Sequence, residues 1–178
     1  VVVGQLIDIH LSAGLAVSDQ LLQQKNALKT ARYTFVHPMR FGVLLAGGTN
    51  ALLTFCEQFG LLMGSAFQVQ DDLLDICADT GQSGKQLLGD IRSGQPTMFT
   101  HFVFSNGTPD QQAALRAVFG KPDLSVQEQE ATVQLLKDSE AIAYGEAELQ
   151  KAFEQAGELL GTAPVSEDAR RELRLFLQ

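Results

Sequence analysis

Several residue types are scarce in this sequence, and each scarcity argues against a class of protein. There is no tryptophan, there are only five prolines and two cysteines, and 13 basic residues face 21 acidic ones. A net charge of −8 argues against nucleic-acid binding, which requires a basic surface. Cys56 and Cys77 are too far apart for a zinc-binding spacing, and two cysteines do not make a disulfide framework. We expect them to be reduced core thiols of a cytoplasmic protein.

Long apolar runs and hydrolase motifs are also missing. Glu57 interrupts the best apolar run before it reaches the ~18 residues that a transmembrane helix needs, so we expect no membrane span. No Ser/His/Asp or Cys/His arrangement is present, and we interpret His10, His37 and His101 as structural. The chain opens on Val1-Val2-Val3-Gly4, which is apolar and has no initiator methionine. We therefore expect it to begin inside a longer protein.

Helical periodicity is the main pattern that the sequence does contain. Hydrophobic residues make up 45% of the chain, which is enough for a core, and apolar positions recur at helical spacing. Ser125 and Glu128 form a capping box, and Gly60 and Gly64 should allow close helix contact. We predict an all-α antiparallel helix bundle. The predicted helices span about 5–17, 31–45 with a kink or break at Pro38, 50–78, 96–106 from Pro96, 109–119, 126–137, 139–161 and 166–177.

Four polar residues form one stripe of the helix predicted at 50–78. Gln68, Asp71, Asp72 and Asp75 stand at i, i+3, i+4 and i+7, which places them on one helix face. The remaining positions are mostly apolar, so we expect the helix to be buried. Buried carboxylates need a cation, and oxygen ligands suit Mg²⁺. The alternative is a solvated acidic face at the end of a surface helix, and the spacing alone leaves both open.

The stretch from 79 to 95 has four glycines and reads as a functional loop. Lys85 follows Gly84 in this loop, and Asp90 adds a further carboxylate. Glycines let the backbone approach a ligand closely, so this composition suits Mg²⁺ bound to phosphate oxygens. Lys29, far upstream, is either a second phosphate contact or an ordinary surface lysine.

Several short motifs stand in a fixed order along the chain. The motifs are Gly4-Gln5-x-x-Asp8, Lys29-Thr30-Ala31-x-Tyr33, Phe67-Gln68-x-x-Asp71-Asp72-x-x-Asp75, Gly84-Lys85, Gly89-Asp90-Ile91 and Gly94-x-Pro96-Thr97. This set resembles the trans-isoprenyl diphosphate synthases, which include the farnesyl and geranylgeranyl diphosphate synthases. The resemblance extends from Gly4 to Thr97, and the remainder of the chain matches only in helical character.

The resemblance implies a fold and a set of site residues. The fold would be an antiparallel helix bundle of the isoprenoid synthase type. Residues 1–178 would be the C-terminal portion of one polyprenyl synthase domain, with the family's first aspartate-rich motif upstream. The metal residues for Mg²⁺ would be Asp71, Asp72, Asp75 and Asp90; the substrate-binding residues would be Lys29, Thr30, Gln68 and Lys85; and Lys29, Thr30, Asp71 and Lys85 would be catalytic.

The resemblance also implies an activity. The protein would condense isopentenyl diphosphate with an allylic diphosphate by 1′-4 chain elongation, as a geranylgeranyl or farnesyl diphosphate synthase. It would act as a cytoplasmic homodimer, and residues 1–178 alone would be inactive. The family usually has Lys where Gln95 stands, so a cation near the metal cluster is lost here. This departure favours the alternative of a non-catalytic regulatory subunit, but the intact Asp71 motif and Lys85 oppose that alternative. Gly84-Lys85 and Lys29-Thr30 argue against a second alternative, a terpene cyclase.

Overall fold

The computed structural model of the chain describes residues 1–12, 17–77 and 87–177. Every regular element in these ranges is helical, which confirms the all-α class. None of the described helices is both long enough and apolar enough to span a membrane. The elements are α1 (Val2–Ser12), α2 (Asp19–Asn26), a π segment (Ala27–Val36), α3 (His37–Leu45), α4 (Asn50–Cys77), α5 (Gly89–Ser93), α6 (Met98–Asn106), α7 (Pro109–Val118), α8 (Val126–Asp138), α9 (Ala141–Gly161), α10 (Glu167–Arg174) and a 3₁₀ turn (Leu175–Leu177).

The helix starts follow local capping chemistry. The predicted capping box is confirmed, because Ser125 Oγ accepts from the Glu128 N–H and the Glu128 carboxylate accepts from the Ser125 N–H. The predicted start of α6 at Pro96 is wrong by two residues. Thr97 is the residue that caps this helix, since its side chain accepts the Thr100 N–H, and Pro96 precedes the cap.

The region predicted as one helix at 31–45 has a different form. It is a π segment followed directly by α3, and Pro38 lies in the first turn of α3. The His37 N–H still bonds to the Arg32 carbonyl oxygen, so the helical path is continuous, and Pro38 itself has no N–H to donate. Lys29 and Thr30 therefore lie within a π segment, a form that is frequent at functional sites.

The chain divides into two compact units. Unit 1 comprises Val1–Gln5, Gln23–Gln68 and Glu148–Gln178, and unit 2 comprises Leu6–Leu22 and Val69–Ala147. The boundary falls within α1, α2, α4 and α9, so each of these helices contributes residues to both units.

The core of unit 1 joins α4 to the end of α9. Gly60 and Gly64 bring α4 against the π segment, as predicted: a Cβ added at Gly60 would lie 2.9 Å from Val36 Cγ2. Arg170 of α10 donates to the carbonyl oxygens of Gly161, at 2.9 Å, and Ala163, at 3.1 Å, beyond the end of α9. The buried core residues are Phe55, Cys56, Phe59, Met63, Ala156, Leu160 and Ala163.

The core of unit 2 packs around α6. Gly145 of α9 lies against the Phe99 ring, and Phe102 stacks on Tyr144 with ring centroids 4.8 Å apart. The largest fully buried apolar side chains of this unit are Leu11, Leu88, Phe99, Val103, Leu115 and Leu136.

Two burial predictions need correction. Cys56 is buried, but Cys77 is exposed, so only one of the two free cysteines is a core thiol. The long helix α4 is also not buried all round, because Phe67 is 47% and Leu74 is 56% exposed.

Candidate active site

The acidic stripe lies on a single helix, as the spacing predicts, because α4 is helical throughout Asn50–Cys77. Its three carboxylates have different environments. Asp71 is exposed, Asp75 is half-buried, and Asp72 is only 7% exposed. Asp71 is thus the carboxylate most open to a ligand from solvent.

Asp75 accepts hydrogen bonds from three consecutive backbone amides of unit 2. The Leu88 N–H donates to the Asp75 carbonyl oxygen at 2.9 Å. The Gly89 and Asp90 N–H groups donate to the two carboxylate oxygens at 3.0 and 3.1 Å. Asp75 therefore caps α5 and holds Asp90 beside the end of α4, although the two residues are 15 positions apart.

Leu88, the residue before α5, has an unusual backbone. It has φ +61°, in the left-handed region, and it is fully buried. This conformation costs a non-glycine residue roughly 1–2 kcal/mol. The hydrogen bonds from backbone amides to Asp75 and the burial of the Leu88 side chain hold the backbone in this conformation. They therefore fix the backbone that leads into Asp90.

Thr30 and Gln68 meet within unit 1. The Thr30 hydroxyl donates to Gln68 Oε1 at 2.8 Å, and both residues are half-buried. A hydroxyl has one hydrogen and two lone pairs, so this bond leaves the oxygen lone pairs of Thr30 as its remaining interaction sites. Lys29, next in the chain, is also half-buried, and the buried Gly4 packs against its backbone.

Gln95 contacts α1 within unit 2. The Nε2 of Gln95 donates to Oδ1 of Asp8, and the Oε1 of Gln95 accepts from Ser12 Oγ at 2.8 Å. Asp8 is only 4% exposed. Sequence reasoning identified Asp8 as a motif residue and Gln95 as a departure, but it did not connect them. The two residues are 87 positions apart, and no pattern in the sequence indicated either their contact or the part played by Ser12.

Lys85 and Gly84 lie outside the described residues. Residues 1–12, 17–77 and 87–177 contain no group of three or more His, Cys, Asp or Glu side chains that could hold a metal ion.

Comparison with known proteins identifies the family. The sequence model of the polyprenyl synthetase family matches residues 1–136. The chain belongs to the polyprenyl synthetase family. This result confirms the resemblance seen in the motifs, and the match continues beyond Thr97, where the motifs end.

The similar proteins are prenyl diphosphate synthases. The geranylgeranyl diphosphate synthase of Saccharolobus solfataricus is 26% identical over 98% of this chain and 52% of its own length. The farnesyl pyrophosphate synthase of Nezara viridula is 33% identical over 67% of this chain and 30% of its own. A crystal structure of geranylgeranyl pyrophosphate synthase from Corynebacterium glutamicum, complexed with isoprenyl diphosphate and magnesium, has a TM-score of 0.92 and 29% identity. That match covers 99% of this chain and 50% of the other, so the chain spans about half the length of these relatives, or less.

The donor chemistry of this polyprenyl synthetase chain fits Mg²⁺. The ion takes oxygen ligands, and it usually combines one or two carboxylates with waters and substrate phosphates. Asp71, on α4, has an exposed carboxylate. Asp90 lies next to the end of α4 because its N–H donates to the Asp75 carboxylate. A site of this kind does not need three preassembled protein ligands.

Proposed function

We propose that the protein is a trans-prenyltransferase. It would condense isopentenyl diphosphate with an allylic diphosphate by 1′-4 chain elongation, as a geranylgeranyl or farnesyl diphosphate synthase. The observation that carries the proposal is the bond from the Asp90 N–H to Asp75, because it joins the acidic stripe of α4 to the carboxylate that follows the glycine-rich loop. Membership of the polyprenyl synthetase family supports it.

The acidic residues would hold Mg²⁺. Asp71 would bind the ion directly, and Asp72 and Asp90 would bind or orient it. Asp75 would act by placing Asp90, because both of its carboxylate oxygens accept main-chain amides. When bound, Mg²⁺ would neutralise the charge that develops on the departing diphosphate.

The π segment would contact the substrate. Lys29 would bind the allylic diphosphate, together with Lys85. Thr30 would face the isoprenyl chain near the carbon that loses the diphosphate. Gln68 would fix the Thr30 hydroxyl by accepting its hydrogen, so that oxygen lone pairs remain for a positively charged allylic carbon.

The test is a product assay on the complete protein encoded by the gene. It is incubated with Mg²⁺, radiolabelled isopentenyl diphosphate and one of three allylic diphosphates, which have five, ten or fifteen carbons. The products are dephosphorylated and separated by chain length. We expect label in a longer linear prenyl alcohol, and we expect EDTA to abolish it.

Two outcomes would contradict the proposal. Unlabelled cyclic hydrocarbon formed from the allylic substrate alone would indicate a cyclase. No incorporation with any of the three substrates would argue against chain elongation by this protein.

Three further features are proposed: a homodimer and a cytoplasmic location, both on the resemblance alone, and the inactivity of residues 1–178 expressed alone. The exposed Phe67 and Leu74 support the last, because such side chains commonly mark contact surfaces. Sedimentation and activity measurements on the complete protein and on residues 1–178 test the first and last. A monomeric complete protein would contradict the first, and an active 178-residue chain would contradict the last.

A further inference from the structure

The short helix α5, which carries Asp90, is held at both ends. At its start, Asp75 accepts the Gly89 and Asp90 amides. At its end, Gly94 has φ +69° and donates to the Ile91 carbonyl at 3.1 Å, and the Gln95 N–H donates to the Asp90 carbonyl at 2.7 Å. This pair of bonds is a Schellman motif. A five-residue helix has little stability of its own, so these end contacts fix Asp90.

The Gln95 side chain continues this hydrogen-bonded chain to α1. Its amide NH₂ donates to the buried carboxylate of Asp8, and its amide oxygen accepts from the Ser12 hydroxyl. The Ser12 hydroxyl is also 3.0 Å from the Asp8 carbonyl oxygen, so its hydrogen is within reach of two acceptors. All of these residues belong to unit 2.

The hydrogen-bond partners of Gln95 fix which end of its side-chain amide faces Asp8. An ionised carboxylate only accepts hydrogen bonds, so the NH₂ end of Gln95 must face Asp8. A carboxylate at position 95 would face Asp8 with like charge in a site where Asp8 is almost fully buried. A lysine would donate to Asp8 but could not accept from Ser12.

We propose that Gln95 is a positioning residue that fixes Asp90 by tying the end of α5 to Asp8, and that it is not a diphosphate ligand. The role of Asp90 in metal binding, and hence the effect on turnover, rests on the proposed function. The contact between Gln95 and Asp8 does not.

The first experiment is a rescue test on the complete protein. The variants are Gln95→Glu, Asp8→Asn and the two combined. Gln95→Glu should lower Tm by roughly 5 °C or more, because a second carboxylate then meets the buried carboxylate of Asp8. Asp8→Asn should reverse most of this loss, since an amide at position 8 can donate to the new carboxylate.

A second readout measures the metal site without turnover. Calorimetric titration with Mg²⁺ in the presence of inorganic diphosphate should give binding about 10-fold weaker for Gln95→Glu. The double variant should recover most of that affinity. A merely structural role of Gln95 would lower Tm without this change in Mg²⁺ binding.

Gln150→Glu is the matched control. Gln150 Nε2 also donates to a carboxylate, that of Glu154 at 2.9 Å, but on the exposed surface of unit 1. Equal effects of the two Gln→Glu variants, or no rescue by Asp8→Asn, would overturn the proposal.

Gln95→Lys separates positioning from direct contact with the substrate. If Asp8 takes up the ammonium group, the KM values for Mg²⁺ and for the allylic diphosphate should stay within about twofold of the original protein. A larger fall in either KM would show that position 95 faces the diphosphate, and would overturn the proposal. If the original protein lacks prenyltransferase activity while the rescue in Tm and in Mg²⁺ binding holds, the proposed function fails and the positioning role stands.

Discussion

Gly4 of α1 packs directly against the backbone of Lys29 in the π segment. A Cβ added at Gly4 would lie 2.7 Å from Lys29 Cα and 2.8 Å from the carbonyl carbon of Leu28. Backbone atoms cannot rotate away as a flexible side chain can, so one of the two segments would have to move. Gly4 therefore determines where the backbone of a proposed diphosphate-binding residue lies.

Replacing Gly4 should affect both stability and substrate binding. Gly4→Ala should lower the free energy of unfolding by about 1–3 kcal/mol, as overpacking does, and should raise the KM for the allylic diphosphate by displacing Lys29. Denaturant unfolding and steady-state kinetics on the complete protein measure the two effects. Gly42→Ala is the control, because a Cβ at Gly42 would meet no atom within 4 Å. It should be neutral or stabilising, and equal effects of the two substitutions would argue against the close contact.

Asp75 should contribute to stability and to Mg²⁺ binding through the backbone amides that it caps. Asp75→Ala removes the carboxylate acceptors of the Gly89 and Asp90 N–H groups. We expect a loss of about 1–2 kcal/mol in the free energy of unfolding, together with weaker Mg²⁺ binding because Asp90 is displaced. Chemical denaturation and calorimetric titration with Mg²⁺ and inorganic diphosphate measure these effects.

Ser125→Ala is the matched control for Asp75. It removes the side-chain cap of α8 and so should cost a similar amount of stability. It should leave Mg²⁺ binding unchanged. Asp75→Ala with full Mg²⁺ affinity would show that Asp75 neither binds the metal nor positions Asp90.

Local patterns predicted most of the fold and part of the site. Most of the helices, the capping box at Ser125, the close contacts of Gly60 and Gly64, and the helical placement of the acidic stripe all depend on residues near one another in sequence. The short helices α2 and α5 were not predicted, and α5 lies within the stretch from 79 to 95 that was predicted as a loop. The polyprenyl synthetase family was also identifiable from the motifs.

Long-range contacts set the limit of that prediction. The role of Asp75 as a cap depends on amides 14 and 15 positions away, and helical periodicity does not predict contacts at that separation. The bond between Gln95 and Asp8 spans 87 positions. The exposure of Phe67 and Leu74 depends on what packs against α4, and helical periodicity cannot supply this information.

Asp71 should affect turnover without affecting stability. Asp71→Ala should lower Mg²⁺-dependent turnover of the complete protein by ~100-fold or more, because it removes the proposed ligand of the Mg²⁺ that would neutralise the leaving diphosphate. Its exposure means that Tm should hardly change. Glu130→Ala removes an exposed acid of α8 and should leave turnover unchanged. Unchanged turnover of Asp71→Ala at saturating Mg²⁺ would exclude the metal-binding role.

The capping box at Ser125 predicts a pH dependence of stability. Lys121 Nζ lies 2.6 Å from Glu128 Oε1, and the Ser125 N–H and hydroxyl donate to Oε2 at 2.9 Å each. The hydrogen bond from Lys121, and then those from Ser125, lower the pKa of Glu128 from 4.5 to about 2. Because the folded pKa lies below the unfolded one, the unfolded chain takes up a proton first as the pH falls.

The stability that the ionised Glu128 contributes should therefore be fully present above pH 4.5 and lost as the pH falls to about 2. Glu128→Gln keeps an oxygen acceptor but removes the charge. The difference in free energy of unfolding between it and the original protein should be largest near neutral pH and should disappear near pH 2, in urea titrations across this range. Lys121→Met should weaken this dependence, because Lys121 makes the largest contribution to the shift. A difference that stays constant from pH 7 to pH 2 would show that the charge of Glu128 does not stabilise the start of α8.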